Sequence, residues 1–292
     1  MVSLQPLLPS PSSKNPTTEM FESFFQSLHT VHLHGAFAPW NSTIYHGLVE
    51  LYITMQAGGG FRPWFPTQSQ FAEVLKSCPE LRTLRLDGFG ALPDREFTPG
   101  PISLKYLDVL SLQSANLSVS TSHKLILPLI SCGSDSLDVA LSLSHDPDSV
   151  AEIHSFFTRS NVTRLYAHMG AGEPQSYIPI LLGQLPHVRT LALGYCKISR
   201  RALDDYIYTN GETADPWPRL ENLYLVESPL DVERIQRLEA LHPLRELKVF
   251  NPRLRKTPAE LRSLQDRLSG RTPYVLCSDK FEDDPLKDWD FV

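Results

Sequence analysis

The stretch HVRTLALGYCKI, residues 187–198, carries apolar side chains at a spacing that fits neither a lone helix nor a lone strand. Its apolar positions are Val188, Leu191, Leu193, Cys196 and Ile198. The steps between them are three, two, three and two residues. An amphipathic helix uses steps of three and four, and a half-buried strand uses steps of two. The central LxL therefore predicts a short strand, and the flanking positions predict bends whose side chains also turn inward.

The same spacing recurs at irregular intervals along the chain. Good copies are LRTLRL from Leu81, LDVLSL from Leu107, LENLYL from Leu220 and LRELKV from Leu244. Weaker copies begin at residues 28, 48, 138 and 162. The eight steps from the first start to the last average 27 residues, within the range of about 20 to 29 for leucine-rich repeats. The strand leucines of such repeats form the core, so we expect them to be buried. The best examples are Leu84, Leu86, Leu110, Leu112, Leu191, Leu193, Leu223 and Leu225.

Helix-like segments separate several of the copies. They lie at 69–77, 147–160, 199–210, 230–243 and 257–270. The segment at 147–160 has Asp146 as a plausible cap and Pro147 at its first helical position, and the segment at 257–270 begins with a Thr cap followed by Pro and ends in Gly270. Strand and helix alternate with a period too short for a doubly wound sheet. The pattern predicts an α/β leucine-rich-repeat solenoid, a horseshoe with a curved parallel sheet and convex helices.

Three regions follow from composition. Residues 1–16 are rich in proline and serine and predict a flexible N-terminal segment, residues 17–280 form the leucine-rich-repeat domain, and residues 281–292 form an acidic C-terminal tail. The tail contains Phe281, Trp289 and Phe291. It either docks on the last repeat as a cap, which solenoids need, or extends into solvent.

Charge and composition exclude several classes of partner and compartment. The formal net charge is −6 and no basic block occurs, which argues against nucleic acid and anionic membrane as partners. No apolar run reaches the roughly 18 residues of a membrane span, and the start MVSLQPLLPS lacks the basic residues of a signal peptide. The four cysteines form no CxxC pair and are expected to be reduced. We expect an intracellular protein, cytoplasmic or nuclear.

Two stretches resemble a known family. SCPELRTLRLDGFG at 77–90 and LPHVRTLALGYCKIS at 185–199 resemble the ribonuclease-inhibitor-like repeats of F-box proteins, particularly the fungal F-box/leucine-rich-repeat families. The resemblance covers roughly residues 20–278. It implies a scaffold for substrate recognition in a ubiquitin ligase, with the Skp1 adaptor and a cullin as partners. The segment 7–25 is too short and too rich in proline for an F-box, so no recognisable F-box is present in this chain.

Residues that alternate with the LxL leucines are predicted to line the concave face. Tyrosine and arginine are frequent anchors of protein interfaces. The predicted binding residues on this face are Tyr52, Arg85, Arg164, Tyr166, Tyr224 and Phe250. Alternatively, they are exposed residues without a role, and the loop 57–68 or the tail binds the partner. A binding module or enzyme regulator unrelated to ubiquitin is the other open function.

No pattern of catalytic residues is recognisable in the sequence. Gly58–Gly60 lacks the Lys-Ser/Thr pair of a phosphate loop, and the SHDPDS stretch at 144–149 is typical of a turn before a helix. His32 and His34 share a strand face but have no third ligand nearby in the pattern. The sequence therefore predicts a protein that is not an enzyme and has no metal or cofactor.

Overall fold

The structure is a computed structural model that describes most of the predicted repeat strands and part of the segments between them. The described residues are 3–4, 27–35, 38–55, 65–94, 97–98, 100–113, 121–143, 146–169, 185, 187–195, 220–228, 233, 235–236, 244–250, 258–268, 274–278, 286 and 289. The chain divides into two compact units, Met1–Leu137 and Asp138–Val292.

Within the described residues, the first unit contains a run of five parallel strands and two α-helices. The strands are β1 (Ser3–Leu4), β2 (Thr30–His34), β3 (Glu50–Thr54), β4 (Thr83–Asp87) and β6 (Val109–Gln113). They lie side by side in that order. A separate parallel pair is formed by β5 (Ile102–Leu104) and β7 (Ile130–Cys132). The helices are α1 (Gln68–Lys76) and α2 (Thr121–Ile126), and single turns of 3-10 helix lie at Thr43–Tyr45 and Leu127–Leu129.

The second unit repeats the parallel arrangement. Its strands are β8 (Leu137–Leu143), which starts at the boundary, then β9 (Val162–Met169), β10 (Thr190–Gly194), β11 (Asn222–Val226), β12 (Glu246–Phe250) and β13 (Tyr274–Ser278), which lie side by side in chain order. Its described helices are α3 (Pro147–Arg159) and α4 (Pro258–Leu268). β13 extends the parallel run by one strand, although its sequence YVLCS is not a copy of the repeat spacing.

The predicted alignment of the LxL strands is confirmed within each unit. Leu51, Leu84 and Leu110 pair in one row of the first unit. In the second unit Leu191 pairs with both Leu165 and Leu223. All these pairings are parallel, and a shift by one residue would turn the leucines to the opposite face. The spacing of the sequence therefore defines the register as well as the strands.

A recurring hydrogen bond continues the ladder one residue beyond the strands. The N–H groups of Gly35, Gly88 and Glu227 donate to the carbonyl groups of Thr54, Gln113 and Phe250, the last residues of the neighbouring strands, at 2.8–2.9 Å. These three donors and Tyr195 have positive φ, between 47° and 67°. Glycine adopts this conformation freely, whereas other residues are strained in it. The same left-handed turn therefore ends four of the strands and directs the chain away from the sheet.

The core of both units is formed by the LxL side chains, as predicted. All eight leucines for which burial was predicted are at most 3% exposed. Aromatic side chains complete the core of the first unit, where Phe71 of α1 packs on Phe89 with ring centroids 5.2 Å apart. Cys78 is buried and unoxidised, and its thiol donates to the carbonyl oxygen of Tyr45 at 2.6 Å.

Three of the predicted helices are confirmed as α1, α3 and α4. Thr67 and Gln70 form a capping box at the start of α1, and Pro147 occupies the first position of α3. The predicted helix at 199–210 lies outside the described residues, and only three residues of the one at 230–243 are described. α2 was not predicted, because six residues are too few for a periodic pattern.

Candidate protein-interaction face

The predicted binding residues lie on the side of the strands opposite the LxL leucines. We call this side the outer face and define it by the first, third and fifth residues of each five-residue strand, with the matching residues of β8 and β9. Its middle row reads His32, Tyr52, Arg85 and Ser111 in the first unit, and Tyr166, Ala192, Tyr224 and Lys248 in the second. Each row joins neighbouring strands, so its side chains can stack on one another.

Three side chains of the first unit form a stack across β2, β3 and β4. The rings of His32 and Tyr52 have centroids 4.0 Å apart, and the guanidinium carbon of Arg85 lies 4.7 Å from the centre of the Tyr52 ring. All three are half-buried. Burial lowers the pKa of His32, Glu50 opposes that shift and Arg85 adds to it. The stack therefore combines a neutral imidazole, a phenol and one fixed positive charge.

Arg85 differs from the other lysine and arginine side chains on the described outer face because it has no carboxylate as an ion-pair partner. Arg164 pairs with Asp138 at 2.6 Å, and Lys248 pairs with Glu246 at 3.2 Å. Among the described residues no such partner accompanies Arg85, and its Nε is buried without a hydrogen-bond acceptor. A buried donor without an acceptor is costly, so the position favours an incoming acceptor.

Carboxylates lie in the rows on both sides of the Arg85 row. Glu50 belongs to the first row and accepts a hydrogen bond from the Thr30 hydroxyl at 3.2 Å. Asp87 belongs to the third row and is exposed. Partial burial of the Asp87 carboxyl group raises its pKa, and the charge of His34 opposes that shift. The outer face of the first unit thus alternates in charge, with one positive group between two negative groups.

Trp289 covers part of the outer face of the second unit. The guanidinium carbon of Arg164 lies 4.2 Å from the centre of the Trp289 ring. The Tyr224 ring meets the same indole edge-on, with centroids 6.3 Å apart. Trp289 and Leu286 are both 3% exposed, and the Trp289 N–H donates to the Leu286 carbonyl oxygen at 2.9 Å. Two apolar side chains of the tail are therefore buried.

Two residues of the neighbouring strand β12 contact the Tyr224 side chain. Its hydroxyl donates to Oε2 of Glu246 at 2.5 Å, and the Lys248 ammonium lies 5.0 Å from the centre of its ring. Burial, together with the hydrogen bond to the Glu246 carboxylate, raises the pKa of Tyr224 well above its usual range. The phenol therefore stays protonated and keeps donating to Glu246 at any physiological pH.

Tyr166 lies across the glycine of the next strand. A β-carbon placed on Gly194 would be 2.5 Å from the Tyr166 hydroxyl oxygen and 2.8 Å from a carbon of its ring. The ring can adopt this position only because Gly194 has no side chain. Tyr166 also meets His168 edge-on, at 6.3 Å between centroids.

The structure brings the six predicted binding residues onto one kind of face but leaves them unequally accessible. Tyr52 and Arg85 are half-buried, and the Arg164 side chain is 34% exposed. Tyr166, Tyr224 and Phe250 are buried. A role in binding stays a prediction for all six, and Tyr52, Arg85 and Arg164 are the three that are not buried. The alternative loop 57–68 lies largely outside the described residues.

Sequence reasoning did not place Trp289 at this site. The aromatic residues of the tail predict either docking on the last repeat or extension into solvent, whereas Trp289 contacts Arg164 on β9, four strands before β13. Local spacing carries information about neighbours within a strand or helix. The arginine and the indole are far apart in the sequence and no spacing rule connects them.

Among the described residues, no group of three or more His, Cys, Asp or Glu side chains is placed to hold a metal ion. No helix in the described ranges is long and apolar enough to cross a membrane.

No model of a known protein family matches the chain, and no curated protein is significantly similar to it in sequence.

Proposed function

We propose that this chain is a non-catalytic protein-interaction scaffold of the leucine-rich-repeat type, which binds an acidic segment of a partner protein through the outer face of its first unit. The repeat assignment is supported by the parallel, in-register strands at a mean spacing of 27 residues. It is also supported by the recurring turn after the strands. A curved solenoid is the architecture that such repeats form.

The observation that carries the proposal is that Arg85 has no carboxylate partner among the described residues. Its guanidinium is held on the Tyr52 ring, so the side chain is already ordered before a ligand arrives. A preordered group loses less conformational entropy on binding than a free one. The half-buried guanidinium can donate to a carboxylate that binds, and charge-assisted hydrogen bonds of arginine to carboxylate are among the strong ones.

The charges around Arg85 favour a protein over a polyanion. Glu50 and Asp87 lie in the rows on either side, and the chain has a formal net charge of −6. A nucleic-acid backbone places phosphates at every step and would be repelled by both carboxylates. A single Asp or Glu side chain flanked by hydrogen-bond donors or basic groups complements all three rows.

A display library of random peptides tests this proposal with the full chain as bait. We expect enrichment of peptides with one acidic residue at a fixed position, and loss of that enrichment with Arg85→Gln. Arg82→Gln is the matched control, because Arg82 is exposed and pairs with Asp108. Selected peptides without an acidic preference, or an equal preference in the Arg85→Gln chain, would contradict the proposal.

The link to ubiquitin ligases stays a prediction implied by the resemblance of the repeats. Affinity purification followed by mass spectrometry separates the two open roles. Recovery of the Skp1 adaptor and a cullin favours the ligase role. Their absence beside a reproducible partner favours a binding module or regulator unrelated to ubiquitin. The face around Arg85 serves either role, because both need only the recognition of a protein segment.

A further inference from the structure

We propose that His32 makes the Arg85 site respond to pH. Its imidazole takes up a proton when an acidic segment binds at Arg85, so the outer face of the first unit binds such a segment more tightly at mildly acidic than at neutral pH. This coupling rests on the proposed function, since it acts at the same site. Arg85 itself stays charged at every physiological pH, so a response of the site to pH must come from a neighbouring group.

One tyrosine ring connects His32 with Arg85. The imidazole lies on the Tyr52 ring, with ring centroids 4.0 Å apart and ring planes tilted by 39°. The guanidinium carbon of Arg85 lies 4.7 Å from the centre of the same ring. The three residues pair in one row of parallel strands, which fixes their order as His32, Tyr52 and Arg85. A change of charge at Arg85 therefore acts on an imidazole only one side chain away.

The imidazole of His32 can gain a proton without losing a bond. It is half-buried, and among the described residues its side chain has no hydrogen-bond or ion-pair partner. Its ring nitrogens are therefore not committed to another group. Once protonated, the imidazole places a second positive charge beside the Tyr52 ring, and a cation on an aromatic ring is an attractive contact.

In the free chain the surroundings of His32 disfavour that proton. Partial burial lowers the pKa of His32, Glu50 on β3 opposes that shift, and the charges of Arg85 and of the amino terminus add to it. On the other side of β2, β1 places Ser3 opposite His32 and contributes no charge there. The other ionisable groups of this face are Tyr52, His34 and Asp87. Arg85 is thus the positively charged side chain whose neutralisation would favour protonation of His32.

A bound carboxylate offsets the charge of Arg85. The pKa of His32 should therefore rise when the site is filled. By linkage, protonation of His32 then strengthens carboxylate binding by the same factor as the carboxylate strengthens proton binding. Affinity should be lowest above the pKa of His32 in the complex and should rise as the pH falls toward its pKa in the free chain. A rise of about half a pKa unit corresponds to about threefold in affinity.

Proton uptake can be measured with the acidic peptide that the display library enriches most. We expect calorimetry at about pH 6.5, in two buffers of different ionisation enthalpy, to show uptake of part of a proton by the wild-type chain. Affinity should rise about threefold between about pH 7.5 and 5.5. His32→Gln should remove the uptake and most of the rise. His34→Gln is the matched control, because His34 lies on the same strand and face in the last row, and this variant should keep both.

Asp87 provides a second control, because it also gains a proton on acidification. Partial burial raises its pKa, and its protonation would remove a negative charge from the same face. Asp87→Asn should keep the proton uptake at about pH 6.5, since that uptake belongs to His32. Uptake that persists in His32→Gln and disappears in Asp87→Asn would overturn the coupling.

An NMR titration tests the coupling without any substitution of His32. The assigned Cε1–H signal of His32, followed from about pH 5 to 8, reports its protonation directly. Saturation of the wild-type chain with the peptide should raise the pKa of His32, and so should Arg85→Gln in the free chain. A titration of His32 that either change leaves unaltered would overturn the coupling while the Arg85 proposal stands. A peptide that binds equally well to the wild-type and Arg85→Gln chains would instead overturn the proposed function.

Discussion

Gly88 and Met55 approach each other more closely than any other residue type would allow at position 88. A β-carbon on Gly88 would lie 2.8 Å from the Met55 carbonyl oxygen, and Gly88 has a φ of +63°. That carbonyl belongs to main chain, which cannot swing aside as a flexible side chain would. The turn after β4 therefore depends on glycine for both conformation and space.

Gly88→Ala should lower the free energy of unfolding by about 2 kcal/mol or more, from the left-handed backbone and the added clash. Gly100→Ala is the control, because it is exposed with nothing within 4 Å of the added carbon. Urea denaturation of both variants measures the difference. Equal stabilities would show that the turn after β4 is assigned incorrectly.

Glu227 occupies the equivalent turn after β11 with a φ of +47°, so its backbone is strained where Gly88 is relaxed. Glu227→Gly should be more stable than Glu227→Ala by about 1 kcal/mol, since both remove the carboxylate but only glycine relieves the backbone. Thermal unfolding of the pair isolates the backbone effect. An alanine variant as stable as the glycine variant would contradict it.

Leu193 tests the register of the second unit. It is 2% exposed and lies between Ala167 of β9 and Leu225 of β11. Leu193→Ala should lower the free energy of unfolding by about 2 to 5 kcal/mol, because neighbours on both sides prevent the cavity from collapsing. Chemical denaturation measures the loss, and an unchanged midpoint would contradict the assigned core.

The burial of His123 should make the free energy of unfolding depend on pH. His123 is 4% exposed, its Nδ1 has no hydrogen-bond partner among the described residues, and burial lowers its pKa to about 4, with a backbone hydrogen bond at Leu112 opposing the shift. Between pH 6.5 and 4 the unfolded chain binds a proton that the folded chain does not. Stability should therefore fall as the pH drops through this range, by about 3 kcal/mol from this group.

His123→Gln should flatten that part of the pH profile, whereas His46→Gln, at an exposed site, should leave it unchanged. Urea unfolding at a series of pH values from 7.5 to about 4 gives the comparison. The same slope in the wild-type and His123→Gln chains would show that other groups cause the acid sensitivity.

The strands of this protein were predictable because two periods coincide in the sequence. Leu84 and Leu86 alternate with outward residues, as in any half-buried strand, and Leu81 precedes them at the distance of a bend. That pattern also predicted the rows of the outer face, since parallel pairing of equal strands leaves little freedom of register. Pieces without such a pattern were missed, among them β5 and β7, which have three residues each.

The sequence predicted which residues lie on the outer face better than it predicted how exposed their side chains are. Tyr166 and Tyr224 stand at alternating positions that would be exposed in an uncovered sheet, yet each is 8% exposed. Trp289 covers part of the area around Tyr224, and Gly194 lets Tyr166 lie flat across its neighbour. Both effects involve residues that are distant in the sequence, so no local pattern contains them.

The central claim is that Arg85 receives a carboxylate of a protein partner. The most direct measurement is a charge exchange, in which the affinity of a selected acidic peptide is determined by calorimetry for the wild-type and Arg85→Glu chains. A second peptide carries lysine in place of its acidic residue. We expect Arg85→Glu to weaken the acidic peptide at least about 30-fold and to bind the lysine peptide better than the wild-type chain does, because the charged pair is restored with its signs exchanged. Affinities that respond to the peptide charge but not to the charge at position 85 would contradict the account.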